Sequence, residues 1–126
     1  MSLTPEEVRA LEGLDHAYRS AGLAPPDVAG AAASAGVPTA VADRVSKLMV
    51  RQKTLVKIDA LLFHAEALDR LKREVTALKA QGPAAKVDVA AFKDRYGISR
   101  KYAIPLLEWL DRERVTRRVG DARIVL

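Results

Sequence analysis

Two neighbouring cations, Arg100 and Lys101, stand where a helix is predicted to begin, shortly after Gly97. The N-terminus of a helix carries partial positive charge, so a cation there is unfavourable by roughly 0.3–1 kcal/mol. A bound phosphate would reverse this sign, because free backbone N–H groups and both side chains would converge on it. The alternative is a pair of solvated cations balanced by Asp94. The residue types at this position favour a phosphate site.

A second pair of cations, Arg117 and Arg118, lies in the sequence VTRRVGDARIVL, which predicts a β-hairpin. Gly120-Asp121 supplies a two-residue turn with glycine first, as a type II′ turn requires. That register places Arg118 directly opposite Arg123 on one side of the hairpin, and like charges in this relation destabilise a sheet by roughly a few tenths of a kcal/mol. Arg117 lies on the other, apolar side and should extend its head past the edge. The residues expected to share that apolar side are Val115, Val119, Ala122 and Ile124. A polyanion across the hairpin would offset the repulsion, so phosphate contacts are favoured for the three arginines, with contacts from Arg117 or Arg118 to base edges as the alternative.

Further candidate residues surround the predicted helix start. Ser99 is a suitable N-cap residue for the helix. Arg95 and Tyr96 precede the turn at Gly97 and could extend the basic patch. Tyr96 could stack on an unpaired base, or it could simply cap the helix pair. Trp109 is expected to pack at the edge of the core.

The distribution of charge supports a polyanionic partner for the second half of the chain. The net charge of the 126 residues is +5. Residues 1–64 carry seven Lys/Arg and seven Asp/Glu, whereas residues 65–126 carry fourteen and nine. Such asymmetry suggests a nucleic acid, and the alternative is a soluble basic surface without a partner.

Several kinds of function find no support in the sequence. The chain has no cysteine, and its two histidines are far apart, so no disulfide and no metal site is expected. Neither a phosphate loop nor a Ser/His/Asp set is present, so we expect neither catalysis nor a cofactor within this chain. No apolar run approaches the roughly 20 residues that span a bilayer, so no membrane partner is expected. A reducing, cytoplasmic location fits these features.

The first half reads as three helices followed by a hairpin. Thr4-Pro5-Glu6-Glu7 predicts a capped helix start with proline at the first helical position, and Gly22 ends that helix. Asp27 is the expected N-cap of a short Ala-rich helix to Gly36, and Pro38-Thr39 opens a third helix. Residues 54–64, TLVKIDALLFH, predict a two-stranded hairpin that turns at Asp59-Ala60.

The second half repeats this order. A helix over residues 65–82 is expected to bridge the two halves. Ser99 then opens the helix that carries Ala103, Leu106, Leu107 and Leu110 on its inner face. Pro105 lies inside that helix and should remove a hydrogen bond near Lys101, which predicts a distorted first turn.

A shift of 61 positions superposes the two halves of the sequence. Asp27-Val28-Ala29 falls on Asp88-Val89-Ala90, and Gly36-Val37 falls on Gly97-Ile98. No gap is needed until the hairpin, where one residue is expected to drop out. Two helices joined by a tight turn form a helix-turn-helix, and a following hairpin makes a winged helix. The predicted fold is therefore mainly α with small β-hairpins, as two tandem winged-helix domains, residues 1–64 and residues 65–126.

The end of the chain resembles a known family. The sequence FKDRYGISRKYAIPLLEWLDRERVTRRVGDARIVL is similar to the C-terminal end of bacterial selenocysteine-specific elongation factors, most densely through GISRKYAIPLLEWLD and VTRRVGDARIV. Upstream, LVKIDALLFHAEALDRLK resembles the preceding wing and bridging helix of that family. The first helix and residues 23–50 match more loosely.

The resemblance implies a function. In that family this region is the final pair of winged helices of a longer translational GTPase, and the last one binds the hairpin of a selenocysteine insertion element in mRNA. Binding brings the factor to an in-frame UGA on the ribosome. The resemblance implies that Arg100, Lys101 and the wing arginines contact the hairpin. GTP and Mg²⁺ would belong to the GTPase portion of the longer protein, and this chain would be a monomeric fragment.

Two other functions remain open at this point. A winged helix can be a DNA-binding regulator that places its third helix in a major groove and binds a palindrome as a dimer. It can also be a protein-interaction module, which needs an exposed apolar patch.

Overall fold

The computed structural model describes residues 2–82 and 86–126, and it is mainly helical with small antiparallel sheets. The chain divides into two compact units, Met1–Ala67 and Leu68–Leu126. This division lies inside the helix Ala65–Ala77, which the sequence assigned to the second domain. No helix among the described residues is long and apolar enough to cross a membrane.

The first unit contains three helices and a hairpin. The elements are α1 (Pro5–Ala21), α2 (Val28–Ala35), α3 (Thr39–Arg51), β1 (Leu55–Ile58) and β2 (Leu61–His64). The predicted capping box is confirmed, because Thr4 Oγ1 accepts the Glu7 N–H at 3.1 Å and Glu7 Oε1 accepts the Thr4 N–H at 2.9 Å. Gly13 lets α1 and α2 approach closely, since a Cβ there would lie 2.4 Å from Ala35 Cβ.

The second unit has the helix, strand, helix, helix and hairpin order of a winged helix. Its elements are α4 (Ala65–Ala77), a 3₁₀ turn (Leu78–Gln81), β3 (Lys86–Val87), α5 (Val89–Tyr96), α6 (Arg100–Arg112), β4 (Thr116–Val119) and β5 (Ala122–Val125). The sheet order is β3-β5-β4, with both pairs antiparallel. The predicted inner face of α6 is confirmed, because its four residues are each 0% exposed: Ala103, Leu106, Leu107 and Leu110.

The 61-residue repeat is confirmed in the elements, and it extends further than predicted. The shorter helices α2 and α5 coincide at this offset, and so do α3 and α6. The strands β1 and β4 also coincide, as do β2 and β5. The prediction that one residue drops out at the hairpin is wrong, because Asp59 and Gly120 occupy the same turn position with φ of 54° and 63°.

One strand was not predicted. Lys86–Val87 adds β3 to the edge of β5, so the second sheet has three strands. The corresponding positions in the first unit are Pro25 and Pro26, which have no N–H to donate to a ladder. Proline at these two positions accounts for the absence of a third strand from the first sheet among the described residues.

Pro105 does not disturb the start of α6. The N–H groups of Tyr102 and Ala103 both reach the Ser99 carbonyl, at 3.1 and 3.0 Å. The helix α3, which has Arg44 at the position of Pro105, makes the same two bonds to Pro38 at 3.1 Å each. The predicted distortion of the first turn is therefore wrong, and α6 runs unbroken from Arg100 to Arg112.

Candidate nucleic-acid interface

The start of α6 presents two exposed cations and an unused hydroxyl. Ser99 has the extended backbone of an N-cap residue, with φ of −81° and ψ of 165°, but its side chain makes no capping hydrogen bond. The carboxylates of Asp27 and Asp88, by contrast, each cap their helix at 2.7 Å. The first turn of α6 holds no acidic residue. Positive charge from the backbone and the side chains is therefore left uncompensated at this helix start.

Arg100 and Lys101 are both exposed. Among the residues that the structure describes, neither forms a salt bridge, so Asp94 does not balance them by direct pairing. Lys101 Nζ lies 5.4 Å from the centre of the Tyr102 ring, a cation–π contact that leaves its charge intact. We call Ser99, Arg100 and Lys101 the helix-start group.

The wing formed by β4 and β5 carries two more exposed cations. The predicted register is confirmed, with Arg117 opposite Ile124 and Arg118 opposite Arg123. Arg118 Nε donates to the Gly120 carbonyl at 3.2 Å, which holds this side chain along the turn of the wing. Arg117 is exposed beside it. We call Arg117 and Arg118 the wing group.

Arg123 departs from the prediction, because the residue is only 6% exposed. Its Nε donates to Asp111 at 3.0 Å to Oδ2 and 3.2 Å to Oδ1. The side of the hairpin that carries Arg123 was expected to be open, but it faces the interior at this residue. Val119 was expected on the apolar side, and it is 53% exposed. Repulsion between Arg118 and Arg123 is compensated by a carboxylate, so the like-charge argument for a phosphate at Arg123 is wrong.

The exposed cations lie in two elements. The helix-start group lies at the beginning of α6, and the wing group lies on the strand that follows this helix. An anionic ligand that bonds to all four cations must present several acidic groups, since each contact needs its own acceptor oxygens.

A family model described as "Elongation factor SelB, winged helix" matches residues 77–125 of this chain. The match covers β3, α5, α6 and the wing, and thus both groups of cations. Residues 77–125 therefore match a SelB winged-helix domain.

Two further comparisons agree with the SelB assignment. A selenocysteine-specific elongation factor of Desulfomicrobium baculatum is 28% identical over 115 residues, which cover 87% of this chain and 17% of that protein. The solved mRNA-binding domain of elongation factor SelB from E. coli, in complex with SECIS RNA, has a TM-score of 0.75 and 21% identity. It covers 98% of each chain, and at this identity it shows a shared fold.

A longer relative shows how much of a factor this chain spans. The crystal structure of the bacterial selenocysteine-specific elongation factor EF-Sec matches with a TM-score of 0.59 and 25% identity. The match covers 98% of this chain but 18% of that one. The chain therefore spans less than one fifth of the length of these full-length relatives.

Tyr96 of the SelB domain has structural partners. Its hydroxyl donates to Glu74 Oε1 at 3.0 Å, and its ring centre lies 5.0 Å from that of Phe92. Burial raises the pKa of Tyr96, so the phenol keeps the proton that it donates. The neighbouring Arg95 is exposed and lies 5.7 Å from the Tyr96 ring. These contacts account for Tyr96 as the link between α5 and α4.

Sequence reasoning missed the partner of Arg123. Asp111 lies twelve residues earlier, at the last turn of α6, and no helix or strand spacing links the two positions. Thr116, which donates to Asp111 Oδ1 at 2.7 Å, was also missed. A signal was present, since a threonine and an arginine of the second wing align with Leu55 and Leu62 of the first.

Metal chemistry finds no group of ligands in the part of the chain that the structure covers. No cluster of three His, Asp or Glu side chains there could hold an ion. The chemistry that the SelB domain displays is that of exposed guanidinium, ammonium and hydroxyl donors.

Proposed function

We propose that this chain is the mRNA-hairpin-binding part of a selenocysteine-specific elongation factor. It binds the selenocysteine insertion element and holds the factor near the UGA codon that is read as selenocysteine. The names of the relatives support this, since one is a selenocysteine-specific elongation factor and another is an mRNA-binding domain with SECIS RNA. The chain spans 17% of the first relative, so the activity of the whole factor is part of the proposal.

The observation that carries the proposal is the uncompensated charge on the SelB winged helix. Arg100 and Lys101 stand at a positive helix end without an ion-pair partner among the described residues, and Ser99 offers a free hydroxyl. A phosphate at this point would accept hydrogen bonds from the backbone and from all three side chains. The arrangement has a cost in the free protein that a bound phosphate removes.

The wing group suits the same ligand. Arg117 and Arg118 are exposed on a hairpin, and Arg118 is steadied by the Gly120 carbonyl. Double-stranded RNA hides its base edges in a deep, narrow groove, so a protein reads loop or bulge bases while cations hold the phosphates. Two small groups of donors, one at a helix start and one on a hairpin, fit a stem-loop. We assign phosphate contacts to the helix-start group and the wing group, with Arg95 at their margin and Tyr96 and Arg123 in supporting positions.

The DNA-binding alternative receives little support from α6. Beyond its first turn the outward positions include Pro105 and the exposed Glu108, neither of which suits a phosphate-lined major groove. The interaction-module alternative needs an apolar patch. Within the described residues the exposed large hydrophobic side chains are one in α1, one in β4 and one at the C-terminal residue: Val8, Val119 and Leu126.

We further propose that both units are winged helices in tandem. Support comes from backbone bonds that recur 61 residues apart. Thr54 N–H reaches the Met49 carbonyl at 2.9 Å, and Val115 N–H reaches the Leu110 carbonyl at 3.0 Å. The turn residues Lys53 and Arg114 share positive φ values of 66° and 60°. In this view the units share the order of helices and hairpin, apart from β3, and differ in surface.

The remaining roles follow from the proposed parent protein. GTP, Mg²⁺ and aminoacyl-tRNA would bind to other parts of the factor, and this chain would act as a non-catalytic, monomeric tether. The ribosome would be a partner of the assembled factor in the cytoplasm.

Titration of the chain across salt concentrations tests the proposal. The ligands are a SECIS hairpin from a selenoprotein mRNA of the same organism and a duplex DNA of equal length. We expect the hairpin to bind more tightly than the duplex. Its log Kd should rise with log salt, because binding releases salt cations from the RNA and this release is less favourable at high salt. Equal affinity for hairpin and duplex would overturn the RNA assignment. A Kd that does not change with salt, or no binding to either nucleic acid, would favour the protein-interaction module.

A further inference from the structure

The base of the wing is held by one carboxylate that bonds to both of its strands. Asp111 lies in the last turn of α6, and its Oδ1 accepts the Thr116 hydroxyl at 2.7 Å. Its Oδ2 accepts Arg123 Nε at 3.0 Å. Thr116 begins β4 and Arg123 lies in β5, so a single side chain of the helix fixes the two strands together. We call Asp111, Thr116 and Arg123 the wing clamp.

The wing clamp is well shielded from water. Thr116 is 1% exposed and the Arg123 side chain is 7% exposed, while Asp111 keeps 27%. Arg123 also lies on the central strand of the sheet, with Val87 on one side and Arg118 on the other. Asp111 occupies Nε of Arg123, and little of this side chain is open to a phosphate from solvent.

In the first unit, apolar side chains occupy the equivalent positions between the helix and the hairpin. At the offset of 61 the clamp residues correspond to Val50, Leu55 and Leu62. Leu55 is 1% exposed in the core of that unit, and Val50 and Leu62 pack against the core. The backbone therefore tolerates a fully apolar junction between helix and wing. A shielded ion pair is not the more stable choice in general, since desolvation offsets much of the attraction between the charges.

A shielded ion pair restricts the relative position of the helix and the wing more closely than apolar contacts do. Carboxylate–guanidinium and carboxylate–hydroxyl bonds have preferred angles and distances, whereas apolar contacts allow sliding. Two exposed arginines gain from a fixed wing: Arg118 is the strand partner of Arg123, and Arg117 is next to Arg118. The clamp also places a negative charge beside Arg123, which removes the repulsion that Arg118 would otherwise meet.

We infer that Asp111, Thr116 and Arg123 are positioning residues for RNA binding, which fix the wing so that Arg117 and Arg118 meet the phosphates of the hairpin. This inference rests on the proposed function and adds the device that sets the geometry of that site. Arg123 acts through Asp111 and the strand, and it is not itself a phosphate ligand.

Asp111→Asn gives the sharpest test, because charge and geometry predict opposite results. The substitution removes one negative charge, so simple electrostatics predicts tighter RNA binding. Loss of the clamp predicts weaker binding, by about tenfold, as the loss of one charge-assisted phosphate contact would give. The slope of log Kd against log salt should stay that of the unchanged chain.

Glu113→Gln is the matched control. It removes the same charge at the same end of α6, and Glu113 pairs with Lys72 at 2.7 Å rather than with the wing. We expect its affinity for the hairpin to be unchanged or slightly raised. Amide hydrogen exchange in β4 and β5 should accelerate in Asp111→Asn and not in Glu113→Gln, and this readout needs no RNA.

A second variant covers the case in which Asp111→Asn does not fold. Asp111→Val, Thr116→Leu and Arg123→Leu together install the apolar set of the first unit and leave the net charge unchanged. We expect a Tm equal to or above that of the original chain, weaker hairpin binding and an unchanged salt slope.

The outcomes separate the possible roles. In the triple variant, the slope of log Kd against log salt would fall by about 0.7–0.9 if Arg123 contacted a phosphate directly. That result would overturn the inference. Asp111→Asn binding as tightly as Glu113→Gln would also overturn it, as would a folded triple variant with full affinity. If the unchanged chain does not bind the SECIS hairpin, the proposed function fails first, and hydrogen exchange still reports whether the clamp fixes the wing.

Discussion

Arg100 and Arg123 carry the same charge but stand in opposite surroundings. Arg123 is 6% exposed and bonded to Asp111, so the protein itself supplies its counter-charge. Arg100 is exposed at a helix start without an acidic residue in the first turn. A cation that the fold leaves uncompensated is the better candidate for a ligand contact than one that the fold has already paired.

Replacement of Arg100 and Lys101 by alanine tests this distinction. We expect hairpin affinity to fall and the salt slope to decrease by about 1.4–1.8, since two phosphate contacts are lost at about 0.7–0.9 each. The Tm should stay level or rise slightly, because two cations leave the positive end of a helix. Arg112→Ala, at the other end of α6, is the control and should leave affinity nearly unchanged. A large drop in Tm for the double variant would show that these cations are structural.

Tyr18 and Tyr96 differ in the hydrogen bonds of their hydroxyl groups. Tyr18 is 0% exposed in the core of the first unit, and its hydroxyl has no partner among the described residues. Burial, with a smaller contribution from Asp27, raises the pKa of Tyr18 to about 12. Tyr96 donates its hydroxyl to Glu74 at 3.0 Å. A buried polar group without a partner costs stability that a phenylalanine would not.

Tyr18→Phe should therefore stabilise the chain, by up to about 1 kcal/mol in the free energy of unfolding. Tyr96→Phe should destabilise it by about 1 kcal/mol, since it leaves Glu74 without its donor. Denaturant unfolding of the two variants at neutral pH measures both changes. The unchanged chain should also lose stability as pH rises from about 10 to about 12, because the unfolded phenol ionises first, and Tyr18→Phe should lose less. A Tyr18→Phe variant less stable than Tyr96→Phe would contradict this account.

At the scale of elements, the start of α4 is fixed to α1 by a polar network within the first unit. His64 is 2% exposed, and its Nε2 lies 2.7 Å from Asp15 Oδ1. Its Nδ1 accepts the Glu66 N–H at 3.1 Å, so the imidazole caps the helix and its single proton faces Asp15. Arg19 bonds to both Asp15 and Glu66. The helix that leads into the second unit thus begins at a defined place.

This network predicts a pH dependence for Asp15. Partial burial opposes ionisation, but the hydrogen bond from His64 and the charge of Arg19 outweigh it and hold the pKa of Asp15 below its ordinary value of 3.8. A lowered pKa in the folded state means stability that is present above about pH 4 and lost as pH falls through the folded pKa. Asp15→Asn should be less stable than the unchanged chain at pH 7, and the difference should shrink as pH falls below about 4.

Thermal unfolding between pH 2 and pH 7 measures the difference. Asp43→Asn is the control for the loss of one carboxylate, because Asp43 pairs with the exposed Lys47 at 3.1 Å and such a surface pair should matter little. If Asp15→Asn and Asp43→Asn gave the same profile, the network would have no role in stability.

The elements were largely predictable from local sequence, and the wing's faces were not. Caps at Thr4, Asp27 and Asp88 and the apolar spacing of α6 place the helices, because these signals act within one or two turns. The register of the wing followed from Gly120 in its turn. Which side of the wing is buried depends on Asp111 in another element, and no local spacing carries that information.

In the candidate site, too, some features could be predicted from local sequence and others could not. The helix-start cations were predictable because helix ends have known polarity. The short strand Lys86–Val87 was missed because two residues give no periodicity to detect. Arg123 was assigned to the ligand because like charges on paired strands look unfavourable until their carboxylate is known.

At the scale of the whole molecule, one backbone plan appears with two different surfaces. The helices and strands of the two units recur 61 residues apart, but the excess positive charge lies after residue 64. Thr39 and Ala40 occupy the positions of Arg100 and Lys101, and apolar residues occupy those of the wing clamp. The shared plan explains the fold, and the differences between the units locate the proposed RNA site on the second.

The central claim is that the second unit reads an mRNA stem-loop rather than any polyanion. The most direct measurement compares the Kd of the chain for a SECIS hairpin with its Kd for the same hairpin carrying a permuted loop, at several salt concentrations. Both RNAs present the same number of phosphates, so the ratio isolates the loop bases.

We predict that the intact loop binds at least about fivefold more tightly, as one lost base contact of about 1–3 kcal/mol would give. Both affinities should fall as salt rises, while their ratio stays nearly constant. Equal Kd values for the two loops at every salt concentration would contradict the claim and reduce the site to a non-specific basic surface.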